Sequence, residues 1–170
     1  MVLALKHPNL VRNLIIADIA PVKYEHDQSQ FIEAMQKVDL SKVEKRSDAT
    51  LALSKFVEDK SLQNFFTQSL DIKAKRWKLN LKVLRSEMSE ILSFPNIESE
   101  FSGHSLFLKG EKSDYIKPEH RKLIKSLFTK ARFATFKEAG HWLHAEKPRE
   151  FESAARLSLI HISEPTRQIR

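Results

Sequence analysis

The chain has 170 residues, 41% of them hydrophobic and 30% charged, with a net charge of +7 and no cysteine. This is the make-up of one globular domain or part of one, and it excludes a disulfide framework and a thiolate metal site. No apolar run approaches the ~20 residues that cross a bilayer. The basic excess does not read as a nucleic-acid surface, because the lysines are interleaved with acids, as in Lys42-Val-Glu-Lys-Arg-Ser-Asp48, the pattern of a solvated helix face. The densest basic cluster, Lys73-Ala-Lys-Arg-Trp-Lys78, has one aromatic among its charges and no recognisable binding motif. The first residues are charged too soon for a signal peptide, and with the lack of cysteine they lead us to expect a cytoplasmic setting.

Met1 to His7 reads as the last turns of a helix, stopped by Pro8. Leu14-Ile-Ile-Ala17 is a short unbroken apolar run ending at Asp18, the signature of a buried parallel strand. From about Gln28 to Leu92 the pattern turns helical, with no strand signal of its own. Phe31, Ile32, Met35 and Val38 are spaced for one helix face. Leu51, Leu53, Phe56 and Val57 predict a second helix, capped by Asp48 with Thr50, and Leu62, Phe65, Phe66 and Leu70 a third. Trp77 to Leu92 predicts a further helical stretch, ended by Phe94-Pro95. All three glycines, at 103, 110 and 140, lie beyond this region, which suits its helical reading.

Strand character returns at Ser105-Leu-Phe-Leu108, followed by Lys109-Gly110. Pro118 opens a helix through Phe128, with Leu123, Ile124 and Leu127 on its buried side. A third strand, Arg132 to Phe136, precedes Ala139-Gly140-His141, and Glu146 to Leu157 forms a closing helix. Strands alternating with helices predict a parallel sheet. An imidazole after the last strand then sits at the carboxyl edge, where α/β folds keep their chemistry. The final residues, from Leu157 on, resemble the translation of a transposase-based sequencing adapter and are set aside, His161 and Ser163 with them.

Ala139-Gly-His-Trp-Leu-His-Ala-Glu-Lys-Pro148 resembles the catalytic-histidine loop of the α/β-hydrolase superfamily, and its extended form resembles the ABHD11-like (YbfF-like) esterase branch. Leu14 to Pro21 is similar to that family's strand 6 and the turn after it, and Phe107 to Ile116 to its strand 7 and following loop. The resemblance implies an α/β fold. The chain would be the C-terminal part of an α/β-hydrolase, with parallel strands 6 to 8, flanking helices and a helical cap inserted between strands 6 and 7. The expected boundaries are 1–24 and 96–156 for the core, 25–95 for the cap and 157–170 for the adapter-like tail.

In such enzymes a serine attacks an ester or thioester carbonyl, a histidine takes its proton, and a carboxylate orients the imidazole. The resemblance makes His141 the base. The acid has two candidates. Asp18 closes strand 6, the position this branch uses. Many α/β-hydrolases instead carry the acid after strand 7, as Gly-x-x-Asp; here Gly110-Glu-Lys leads to Ser113, and Asp114 lies one residue late. Both fit the order serine, acid, histidine. His144 is expected to support the loop. The Gly-x-Ser-x-Gly elbow does not occur, and Gly103-His-Ser105 leads into a strand rather than out of one. From the family's spacing the serine is expected about seven residues before Met1, making Met1 an internal methionine. The chain on its own is therefore expected to be inactive, with a small acyl ester or thioester as the whole enzyme's substrate and no cofactor or metal. The competing class is a non-enzymatic basic helical module that binds a protein or nucleic-acid partner.

Overall fold

The computed structural model describes residues 1–160. They form two compact units, Met1–Val22 with the residues from Phe94 on, and Lys23–Ser93. In chain order the first unit begins with α1 (Val2–Lys6), a 3-10 turn at Pro8–Leu10 and β1 (Asn13–Ala17). The second unit holds α2 (Ser29–Gln36), α3 (Arg46–Leu53), α4 (Lys60–Gln68), β2 (Leu70–Asp71), β3 (Arg76–Trp77), α5 (Leu81–Ser86) and α6 (Met88–Ile91). The chain then returns to the first unit through β4 (Phe101–Gly110), α7 (His120–Leu127), β5 (Phe128–Phe136), α8 (Leu143–Glu146) and α9 (Pro148–Ile160).

The first unit is built on a parallel three-stranded sheet in the order β1-β4-β5. Ile16 pairs in register with Phe107, and Phe107 with Phe133. Successive side chains of a strand face opposite sides, so a strand buried on both sides needs an unbroken apolar run. β4 supplies one. Phe107 packs with Ala4, Leu5, Ile16 and Ile124, while Leu108 packs with Phe136, Ala139 and Leu143. The rings of Phe101 and Phe107 each meet Phe128 edge-on, at 6.3 and 5.5 Å between centroids. The parallel α/β architecture expected from the sequence is the one observed.

Several local expectations are corrected. β4 and β5 start earlier than their apolar runs, because pairing of Phe101 with Phe128 carries the ladder across polar residues and an irregularity before His104. The closing helix divides: α8 ends before Lys147, and α9 opens on Pro148, whose missing N–H costs nothing at a first helical position. α9 also runs past Leu157 to Ile160, so the adapter-like segment begins inside this helix. Its remainder, with His161 and Ser163, lies outside the described residues. On α7, Ile124 is fully buried, whereas Leu123 is exposed.

The second unit is helical as expected, with two exceptions. Leu70 and Trp77 are not helical; they pair across a short antiparallel hairpin, turned by Lys75 at a positive φ of 51°. The Trp77 indole N–H donates to the Met35 carbonyl at 3.0 Å, drawing that residue onto α2. The predicted faces of α3 and α4 are also partly displaced. Leu53, Val57 and Leu70 are buried with Ile32, Met35 and Val38, but Leu51, Phe56 and Phe65 are exposed. Asp48 caps α3 as expected, its carboxylate accepting the N–H groups of Glu44 and Lys45 at 3.0 Å each. Thr50, by contrast, donates back to the Arg46 carbonyl.

Candidate active site

The site lies beyond the carboxyl ends of the three strands. β1 is followed directly by Asp18, whose backbone N–H still pairs with the Leu108 carbonyl at 2.8 Å. Its φ of 50° is left-handed, a conformation aspartate tolerates better than most residues. That turn leaves the Asp18 side chain fully buried, at 0% exposure. Oδ1 accepts the Gly110 N–H at 3.0 Å, and Oδ2 accepts the Ser113 hydroxyl. Oδ2 also faces His141 Nδ1 at 2.9 Å. The carboxylate is thus buried beneath an imidazole that is 41% exposed.

The histidine loop is held by backbone contacts. Glu138, at a φ of 61°, turns the chain out of β5. The Ala139 carbonyl then accepts from Lys112 N–H at 2.9 Å, and the Phe136 carbonyl from Glu111 N–H at 3.0 Å. This crossing demands a glycine at the end of β4: a Cβ on Gly110 would lie 2.0 Å from the Gly140 carbonyl oxygen. The Glu146 carboxylate reaches back from α8 and accepts the N–H groups of Gly140 and Trp142, at 2.8 and 3.2 Å, on either side of His141. Tyr115 stacks on the imidazole, with centroids 3.9 Å apart and planes 19° apart. Burial, and secondarily the Asp18 carboxylate, push the Tyr115 phenol above its ordinary pKa.

Of the two acid candidates, Asp18 contacts His141, and Asp114 is an exposed loop residue. His144 is exposed and meets Phe151 edge-on at 6.2 Å. Gly103-His-Ser105 lies within β4, with the Ser105 hydroxyl aimed at the Gly103 carbonyl. Among the described residues, no three of His, Cys, Asp or Glu gather as a metal site would require, and no helix is long and apolar enough to cross a membrane. Sequence reasoning missed three residues: Ser113, Tyr115 and Glu146. Only Ser113 carried a signal, since it occupies the place where Gly-x-x-Asp puts a carboxylate.

No protein-family model matches the chain. It is 36% identical over 162 residues to the mouse (Mus musculus) sn-1-specific diacylglycerol lipase ABHD11, covering 91% of this chain and 53% of that protein. Escherichia coli (strain K12) esterase YbfF is 28% identical, covering 81% and 54%. Among solved structures, a marine microorganism esterase superposes with a TM-score of 0.84 at 33% identity, covering 91% of this chain and 63% of that one. The chain belongs to the α/β-hydrolase superfamily, in its ABHD11-like branch. It spans about half the length of the curated relatives it matches. The sheet order β1-β4-β5 is the one the resemblance gives for strands 6, 7 and 8.

Proposed function

We propose that this chain carries the base and the acid of a serine hydrolase that cleaves carboxyl esters or thioesters. The observation that carries the reading is the fully buried Asp18 carboxylate bonded to Nδ1 of the accessible His141. With Nδ1 engaged, Nε2 is the nitrogen left to take a proton from a hydroxyl, and the carboxylate fixes that tautomer and stabilises the imidazolium. His141 is then the general base and Asp18 the acid, with Asp114 outside the reaction. Ser113 does not serve as the nucleophile, because its buried hydroxyl donates to Asp18. The nucleophile and the oxyanion N–H groups are assigned to sequence upstream of Met1 in a longer gene product, and the Lys23–Ser93 unit to the substrate cap. The names of the relatives, a lipase and esterases, denote the cleavage of esters and support this choice.

Activity-based labelling tests it. The 170-residue chain is expected to take up no serine-directed fluorophosphonate and to turn over no short acyl ester. The product of the gene extended upstream is expected to be labelled. In that protein His141→Ala and Asp18→Asn should each lower turnover by about 10³–10⁴-fold, and Asp114→Asn should leave it unchanged. Labelling of the short chain, or an upstream frame without Gly-x-Ser-x-Gly, overturns the reading.

A further inference from the structure

We infer that Ser113 is a positioning residue that fixes the Asp18 carboxylate against His141; its purpose, though not its geometry, rests on the hydrolase reading above. Ser113 is 6% exposed, and its hydroxyl donates to Oδ2 of Asp18, the oxygen that His141 Nδ1 meets. The same hydroxyl accepts the Tyr115 N–H at 3.3 Å. A serine hydroxyl has one proton, so with that proton on Oδ2 and a lone pair on Tyr115 N–H its direction is set from both sides. The Gly110 N–H holds the other carboxylate oxygen at 3.0 Å. Asp18 therefore cannot rotate about its terminal torsion without abandoning a donor in a buried place, where the loss goes uncompensated.

Ser113 reaches the imidazole by a second route. Its contact with the Tyr115 N–H ties it to the residue whose ring stacks on His141. One hydroxyl thereby joins two groups that touch the imidazole, Asp18 at its Nδ1 edge and Tyr115 over its face. The turn that presents it is closed by the Ser113 N–H on the Gly110 carbonyl at 3.1 Å. This accounts for a serine at the position where Gly-x-x-Asp carries a carboxylate. A second carboxylate would set two like charges together in a buried pocket, whereas a hydroxyl supplies a donor to the one already there.

The test is the imidazole spectrum of the 170-residue chain, which needs no nucleophile. Proton–nitrogen NMR reads the His141 tautomer and the exchange of its Nδ1–H with water. In the unmodified chain the Nδ1–H tautomer is expected, with slow exchange, and Asp18→Asn should abolish that protection. Ser113→Ala should speed exchange about tenfold, and Ser113→Thr, which keeps the hydroxyl, should return it to within about twofold. Exchange unchanged or slowed in Ser113→Ala overturns the inference, as does an acceleration that Ser113→Thr fails to reverse. The hydrolase reading stands or falls separately on labelling of the extended protein: unaltered exchange would leave Asp18 as its acid without Ser113's help.

Discussion

The two units bury polar side chains to different ends. In the helical unit the buried pair is Gln63 and Thr67, at 4% and 1% exposure, and both serve the backbone. Gln63 donates to the Val57 carbonyl at 2.7 Å, and Thr67 to the Asn64 carbonyl at 3.0 Å. In the sheet unit Ser105 does the same, but Ser113 bonds Asp18, and Asp18 in turn bonds an accessible imidazole. A buried side chain that pairs with a carbonyl completes a fold. One that pairs with another side chain beneath solvent adds a network whose members must all be present, and such networks are where chemistry is held ready. The contrast marks the site without reference to any motif.

Removing one member from each unit gives the largest expected difference. Asp18→Ala leaves the Gly110 N–H and the Ser113 hydroxyl without their acceptor in a buried place, and should cost about 2–4 kcal/mol. Gln63→Ala takes the side-chain donor from the Val57 carbonyl, and with it the longer contact to the Glu58 carbonyl at 3.4 Å, and should cost about 1–2 kcal/mol. Urea unfolding of both variants measures the gap, and equal losses would remove the contrast.

A pH dependence tests the network's charge. Ser113→Asp puts two carboxylates side by side in a buried pocket, which raises the pKa of one of them in the folded state. A group so raised contributes stability below its unfolded value and loses it as pH rises through the folded value. This variant should therefore lose roughly 1–3 kcal/mol relative to the parent at neutral pH, and recover it below about pH 4. Gln63→Glu, whose neighbours are backbone carbonyls, should respond in the same direction. The distinguishing result is that only Ser113→Asp also disturbs the His141 resonance.

How far the sequence reached follows from which interactions are local. β1 was legible because Leu14 to Ala17 is a short unbroken apolar run, the pattern of a parallel strand, although only Ile16 of it is buried. The early halves of β4 and β5 were not, because His104 and Lys130 join the ladder through backbone pairing that leaves no side-chain pattern. In the helical unit Leu70 continued the spacing of Phe66, and nothing in two-residue strands betrays a hairpin. The resemblance offers His141 with both Asp18 and Asp114, and it is the fold that brings Asp18 against His141. Ser113 and Glu146 act across folded distance or on backbone N–H groups, contacts to which residue spacing is blind.

Glu146 extends the comparison to the caps. Glu146→Gln keeps a single acceptor oxygen for two N–H groups, so one of Gly140 and Trp142 is released. The expected cost is about 0.5–1.5 kcal/mol, with amide exchange at that position speeding up to roughly tenfold. Asp59 makes a similar pair of contacts in the helical unit, to the N–H groups of Ser61 and Leu62 at the start of α4. Asp59→Ala should cost about 1 kcal/mol, yet leave the His141 spectrum unmoved. A shift of that spectrum in Asp59→Ala would show the units to be coupled.

Three residues share one backbone conformation, and two of them give the smallest expected effects. Asp18, Lys75 and Glu138 have φ of 50°, 51° and 61°, where glycine is preferred by roughly 1 kcal/mol. Backbone alone would make glycine equally favourable at all three, so the differences isolate what each side chain does. The Glu138 N–H donates to Glu111, a contact that a glycine retains, so Glu138→Gly should stabilise by about 0.5–1 kcal/mol. Lys75 donates to the Val43 carbonyl and pairs with Glu44 at 3.1 Å, so in Lys75→Gly the backbone gain and the lost contacts should nearly cancel. Asp18→Gly should be destabilising in spite of the relief, because the network it leaves outweighs the turn it eases. Thermal unfolding of the three variants should rank them Glu138→Gly, Lys75→Gly, Asp18→Gly from most to least stable. Asp18→Gly ranking above either of the others would mean that the strained turn, rather than the buried carboxylate, dominates the energetics at the end of β1.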